Sequence, residues 1–408
     1  MTLFEKGPGI KEGIKSFKNY FNISSAGAGL IAAIFGCTGP ALIVINGGLD
    51  AGLSQSTITS WLFSIYFFGG LITILMALWY KQPICGAYSI PGAILVAAVL
   101  SNFNINEAVG AYLIAGIIVL ILGLTGWVGK IMRWLPQPII MGMIAGALFR
   151  FGTNIVTSYK SAPLLIGLSI LAYFIFAKIF PKIPGVIGAL LVGGIIALIM
   201  GVADFSNLTF EIAKPQIFSP QFSLDAVFSI AIPLAVMVIG AENAQAAGAL
   251  MAEDYDPPIN SMTIVSGIGG IVTSFFGGHN ANIAGPMTAI TSGPDAGEVK
   301  EGRYTASVFD GILFAGFGLI AKAATALVQS VPSSLVNLLA GLAMIGVLTN
   351  AFETAFSGKF KLGAFFALII AASGITIFKI GAPFWALTIG VIISLIMEKE
   401  DFESNKKK

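Results

Sequence analysis

Charge is scarce in this sequence. Only 10% of its 408 residues are Asp, Glu, Lys or Arg, whereas 56% are hydrophobic, and the mean hydropathy is +0.90. A water-soluble domain so composed could not cover its own surface, which excludes that class. The formal net charge of +2 offers no basic patch, and no nucleic-acid partner is expected. The two cysteines, Cys37 and Cys85, both lie inside apolar runs, which argues against a stabilising disulfide. His279 is the sole histidine and no cysteine cluster accompanies it, so neither a metal site nor a cofactor is expected. There is no Walker A motif to draw on ATP, and no zincin-like or serine-nucleophile signature, so the chain is not read as an enzyme.

What remains is a succession of apolar runs from Gly29 to Met397. Length and punctuation divide them into about fourteen segments. The first half holds Gly29–Gly47, Ile58–Tyr80, Ile84–Leu100, Ala108–Val128, Pro138–Thr157, Ala162–Ala177 and Gly185–Met200. The second holds Ala226–Leu250, Met262–Phe276, Asn282–Ser292, Ala306–Val328, Ser333–Phe352, Leu362–Phe378 and Ala382–Met397. No cleavable signal peptide is expected. Residues 1–22 read as a cytoplasmic amphipathic segment, with Ile10, Ile14, Phe17 and Phe21 on the side facing the membrane surface.

An even number of crossings with a cytoplasmic N-terminus gathers most of the basic residues inside. They are Lys6, Lys11, Lys15, Lys18, Lys81, Lys130, Arg133, Lys178, Lys182, Lys300, Arg303, Lys359, Lys361, Lys399, Lys406, Lys407 and Lys408. Arg150, Lys160, Lys214, Lys322 and Lys379 are left over. This bias assigns both termini to the cytoplasm of an inner or plasma membrane. Residues 23–203 then form one repeat, 204–221 an extracellular linker, 222–397 a second repeat and 398–408 a cytoplasmic tail. An odd number of segments per half inverts the second repeat relative to the first. Ile144-Ala145-Gly146-Ala147 with Thr153-Asn154 is echoed by Leu339-Ala340-Gly341-Leu342 with Thr349-Asn350.

The third segment of each half is broken. One contains Cys85-Gly86-Ala87-Tyr88-Ser89-Ile90-Pro91-Gly92, the other Asn280-Ala281-Asn282-Ile283-Ala284-Gly285-Pro286. Each reads as a short extended stretch feeding a half-helix, with proline in the first turn where its missing N–H costs nothing. Irregular backbone at membrane depth survives only when buried in protein or lining a cavity. Such paired breaks point to a transporter's binding site, and half-helix N-termini favour an anion.

Glu242 lies midway along the eighth segment with no basic neighbour in sequence. An ionised carboxylate there costs on the order of 3 kcal/mol to insert, so a functional role is expected: proton coupling, substrate contact or both. The alternative is a protonated acid bonding a neighbouring helix. His279 offers either a proton relay or an ordinary loop histidine at the membrane surface. The candidate substrate contacts are Tyr88, Ser89, Ile90, Glu242, Asn243, Asn282, Ile283, Ala284 and Gly285. Tyr88 offers a ring face or simple packing, and Asn282 a substrate bond or a helix cap. Arg150 and Lys322 either snorkel, pair with a buried carboxylate or attract an anionic substrate. Asp310 is expected at the interface, by the inner end of its segment.

At Ile239-Gly240-Ala241-Glu242-Asn243-Ala244-Gln245, at Gly277-Gly278-His279-Asn280-Ala281-Asn282-Ile283-Ala284-Gly285-Pro286 and at Leu135-Pro136-Gln137-Pro138, the chain resembles the benzoate:proton symporter family. It is similar, more distantly, to the uracil and xanthine permeases. The resemblance implies an all-α polytopic membrane protein with a seven-plus-seven inverted repeat, core and gate domains, and a homodimer. It also implies proton-coupled import of a small aromatic carboxylate. Nucleobase relatives carry a glutamate just before the asparagine of the second broken segment, where this chain has Ala281 before Asn282. That departure argues against nucleobase transport. A sulfate-type anion transporter and an anion channel are the other readings.

Overall fold

The computed structural model describes residues 4–128, 136–181, 184–204, 206, 211–378 and 380–405. Lys130, Arg133, Leu135, Lys182, Lys379, Lys406, Lys407 and Lys408, invoked above, lie outside the described residues. The chain is an all-α polytopic membrane protein, and each apolar segment read from the sequence holds a helix. Ile121, Phe174, Leu191 and Ile199 stand exposed on the outside, a surface suited to lipid. Among the described residues, five helices are long and apolar enough to cross a bilayer: Ile23–Asp50, Gln55–Tyr80, Ile105–Thr125, Gln137–Lys160 and Leu224–Ala252. Two bent pairs, Lys300–Leu319 with Ala321–Gln329 (63°) and Ser333–Ala343 with Ile345–Phe356 (43°), raise this to seven if each is one span. The remaining segments hold shorter helices.

Helices start where caps allow. The first begins before its hydropathy suggests, because Asn22 and Ser25 form a reciprocal capping box ahead of Ile23. The amphipathic N-terminal segment forms the helix Ile10–Tyr20, but it is docked on protein. Gly13 lies against the backbone of Leu78 and accepts from the Tyr304 hydroxyl at 2.8 Å. Ile14 stays exposed, while Ile10 and Phe17 pack beside Leu78 and Val308.

Helices of the two halves interleave. The second segment packs along the eleventh and the fourth along the ninth; the first meets the tenth and the eighth meets the third. At the centre, the extended stretches of the broken segments pair as a two-stranded antiparallel ladder, Gly86 opposite Ile283 and Ala87 opposite Asn282. Two residues per strand cannot satisfy all the local backbone, so hydroxyls complete it. The Thr73 hydroxyl accepts from Gly86 N–H and also contacts Gly86 C=O, both at 2.7 Å. Ser266 Oγ accepts from Ile283 N–H at 3.1 Å, and Thr288 Oγ1 from Cys85 N–H at 3.1 Å. Gly69 lets the second helix approach this ladder, since a Cβ there would come within 2.8 Å of the Ala87 Cα.

Thr73→Val keeps the shape but leaves Gly86 N–H without its acceptor. The expected loss is about 1–3 kcal/mol of stability, read as a lower melting temperature in detergent, with Thr73→Ser close to wild type.

Candidate functional site

The eighth segment carries two wider π turns, Val227–Ala231 and Val238–Asn243. The first precedes Pro233, whose missing N–H disturbs the regular ladder. The second carries Glu242. Turns of this kind insert an extra residue and re-aim side chains, and they recur at functional sites.

Glu242 is buried, 3% exposed, and its two oxygens are divided between the broken segments. Oε1 accepts from Ile90 N–H at 3.2 Å and Oε2 from Gly285 N–H at 3.3 Å. Ile90 opens the half-helix Ile90–Val99, and Gly285 opens Gly285–Ser292. One carboxylate therefore occupies the position that both helix dipoles favour. Both oxygens act as acceptors here, as those of an ionised carboxylate do. Gly285 is required here: a Cβ would lie 2.6 Å from the Gln245 side chain, one turn beyond Glu242.

Phe35, Gly36 and Pro40 of the first segment, Tyr88, Met287 and Phe314 close around this carboxylate. A cavity of about 530 Å³ lies next to it, shares Phe35, Pro40 and Pro286 with it, and reaches Tyr173, Gln245 and Asn350.

The other expected residues divide by what already holds them. The Tyr88 hydroxyl donates to Tyr66 at 2.8 Å, because Tyr66 spends its own proton on Gly36 C=O at 2.7 Å. The Tyr88 ring borders the Glu242 site and meets His279 edge-on at 5.6 Å. Ser89 Oγ caps its own half-helix at Gly92 N–H, 2.9 Å, and Ser89 N–H donates to Asn280 Oδ1 at 3.1 Å. Asn282 does not cap the second half-helix. Its amide donates to the adjacent Ile283 C=O at 3.1 Å, and its buried Oδ1 has no partner among the described residues. Asn243 turns to the ninth segment, bonding Ser266 at 3.1 Å and Thr263 at 3.5 Å. Ile283 lies in the ladder, and Ala284 lines the site.

His279 is no surface histidine; it is fully buried. The indole N–H of Trp61 donates to its Nδ1 at 2.9 Å, which leaves Nε2 to carry the proton to Ser89 C=O at 3.0 Å. Both nitrogens are thus engaged in holding the broken segment to the second helix. Asp310 is a correction: it is fully buried inside the protein, not interfacial. Sequence reasoning also missed Trp61, Tyr66, Phe35, Met287 and Phe314, which carry no local signal beyond being apolar or aromatic.

A family model described as benzoate membrane transport protein, BenE, matches residues 19–396. The chain belongs to this family. It is 28% identical over 380 residues to the inner membrane protein YdcO of Escherichia coli, covering 92% of this chain and 97% of that one. It is 27% identical over 387 residues to the benzoate membrane transport protein of Acinetobacter baylyi, covering 95% and 98%. A putative sulfate transporter, YvdB of Bacillus subtilis, is 24% identical over 48% of this chain and 43% of its own length. Two solved structures share the fold. The transmembrane domain of the cyanobacterial bicarbonate transporter BicA superposes with a TM-score of 0.60 at 15% identity, covering 90% of this chain and 96% of that one. Murine Solute Carrier 26 family member A9, an anion transporter in the inward-facing state, gives 0.66 at 14% identity, covering 95% and 71%.

In this BenE-family chain the two basic residues that fall within apolar segments stay out of the buried site. Arg150 pairs with Asp50 at 3.5 Å and Lys322 with Glu211 at 2.6 Å, all four side chains substantially exposed. The Lys322 hydrogen bond and charge hold the Glu211 carboxyl below its ordinary range. That pair contributes at neutral pH, and its contribution is lost as pH falls through the lowered value. Arg150→Ala and Lys322→Ala are each expected to leave the melting temperature nearly unchanged, because exposed ion pairs contribute little. Thermal melting in detergent at neutral pH checks this, and a much larger loss would mean a buried partner.

Proposed function

We propose that the protein imports benzoate, or a similar small aromatic carboxylate, together with a proton. The observation that carries this reading is the Glu242 carboxylate seated across two half-helix N-termini. A position that accepts the protein's own carboxylate can accept a substrate's. The two anions exclude each other there, both by volume and by charge. Substrate carboxylate enters once Glu242 takes a proton, loses its hold on Ile90 and Gly285, and swings aside. Proton binding and anion binding then occur together. The rings of Tyr88, Phe35 and Phe314 would flank the aromatic body, and His279 would position the broken segment through Trp61 and Ser89 rather than carry the proton itself.

The reading includes an inverted seven-plus-seven repeat, with core and gate domains and both termini in the cytoplasm. Exchange symmetry of the helix contacts supports the repeat. Swapping the halves turns second-with-eleventh into ninth-with-fourth and first-with-tenth into eighth-with-third, and all four contacts exist. In this orientation the cavity beside Glu242 opens to the cytoplasm, and a homodimer is the proposed assembly. One proton with one monoanion moves no net charge. A 100 mV potential, worth about 2.3 kcal/mol per charge, would leave uptake unaffected, and the pH gradient would drive it.

The test is uptake of labelled benzoate into proteoliposomes across a range of external pH. Wild type is expected to take up more as the outside is acidified. Glu242→Gln, which presents an amide N–H₂ to one of the two helix N–H groups, is expected to lose at least about tenfold and to lose the pH dependence. Undiminished uptake by the variant, or none by wild type, overturns the reading. Competition by uracil would instead favour a nucleobase symporter, and competition by sulfate or bicarbonate an inorganic-anion carrier.

A further inference from the structure

Asp310 is a second carboxyl inside the membrane domain that the account above does not use. It lies on the helix Tyr304–Leu319, fully buried, and neither oxygen takes a hydrogen bond of normal geometry among the described residues. An acid in such surroundings costs stability, so packing alone does not account for it. The elements packed around its helix are the first and second segments, the half-helix Gly285–Ser292 and the helix Ala321–Gln329, with the N-terminal helix Ile10–Tyr20 against its Tyr304 end. Their titratable groups are Lys11, Glu12, Lys15, Lys18 and Tyr20, then Cys37, Tyr66, Tyr80 with the adjoining Lys81, and Lys322, together with Cys85 of the extended stretch. Lys322 is taken by Glu211, and Lys81 lies over the rings of Tyr20 and Tyr304. No cation is paired with Asp310 among the described residues.

Polar groups lead away from Asp310 in two directions. On one side Cys85 faces it, and Cys85 Sγ lies 3.2 Å from Thr291 Oγ1 and 3.4 Å from Ser307 Oγ. Ser307 donates to Thr291 at 2.9 Å, and Thr291 reaches Pro83 C=O at 3.5 Å, next to the half-buried Gln82 and Lys81. On the other side Cys37 closes the helix Ile23–Cys37, which packs along the Asp310 helix, and the adjacent Gly36 accepts from Tyr66, whose hydroxyl pairs with Tyr88 beside Glu242. Phe314, one turn along the same helix, lines the Glu242 site.

We propose that Asp310 is the second station of the transported proton, between Glu242 and the cytoplasmic face. The inference rests on the proton-coupled reading. Asp310 first gives its own proton to the Cys85, Ser307 and Thr291 ladder, and Thr291 releases a proton inside by exchanging its bond to Pro83 C=O for one to water at the cytoplasmic loop. The O–H bond on Glu242 then breaks and an O–H bond forms on Asp310. Glu242 regains its negative charge and its two helix N-termini as the negative charge on Asp310 is neutralised. The proton thus leaves by a route separate from the substrate's, and Glu242 is reset for return of the empty carrier.

The test separates exchange from net transport. Exchange of labelled for unlabelled benzoate across proteoliposomes at equal pH needs no proton release, whereas net uptake under an acid outside does. Asp310→Asn is expected to exchange within about twofold of wild type while net uptake and acidification of the lumen fall at least about tenfold, with Asp310→Glu restoring both. Should Asp310→Asn fail to fold, the pair Ser307→Ala with Thr291→Val leaves the acid in place and is expected to give the same division. Net uptake within twofold of wild type in either variant that folds overturns the proposal, as does a parallel loss of exchange and uptake that Asp310→Glu does not restore. Failure of wild type itself to respond to acid would overturn the proton-coupled reading instead.

Discussion

One carboxylate joined to two helix ends organises this molecule. Glu242 accepts from the first N–H of each half-helix, and so ties the eighth segment to the third and the tenth at once. Each half-helix is short, and each ends blunt in the protein interior, where its leading N–H groups need an acceptor. A single anion between them satisfies both and is held by both dipoles. Anything that neutralises or displaces that anion releases three segments together. In the proposed mechanism the same interaction is both a structural fastener and the step at which a proton and a competing anion act.

The surroundings keep that arrangement rigid except at the carboxylate itself. The ladder of Gly86 with Ile283 and Ala87 with Asn282 fixes the two extended stretches side by side, and Thr73, Thr288 and Ser266 take up its unpaired backbone groups. Trp61, His279 and Ser89 form a second brace in which each donor meets an acceptor. Tyr88, Tyr66 and Gly36 form a third. In a medium without water, polar groups satisfied this fully do not exchange partners cheaply. Glu242 differs because its bonds depend on its charge.

Much of this is written locally in the sequence. Proline and glycine after short polar stretches mark the two breaks, and an unaccompanied glutamate in an apolar run marks the candidate site. What sequence reasoning could not reach depends on contacts between the halves. His279 reads as a loop residue because Gly277-Gly278 precede it, yet Trp61, more than two hundred positions earlier, supplies its partner. Asn243 sits beside Glu242 in sequence but one residue on is another helix face, and it bonds the ninth segment. Asp310 reads as interfacial because it lies near a segment end; the docked N-terminal helix and the first segment cover that end. The succession of apolar helices was readable, whereas their unequal lengths arise from bends and half-helices set by packing.

The central claim is that a substrate carboxylate replaces the Glu242 carboxylate only as Glu242 takes up a proton. The most direct measurement is the number of protons absorbed when benzoate binds to the purified protein in weakly buffered detergent solution near neutral pH. The account predicts that wild type absorbs about one proton per benzoate bound, and that Glu242→Gln absorbs none. Benzoate binding to wild type with no proton absorbed would contradict it.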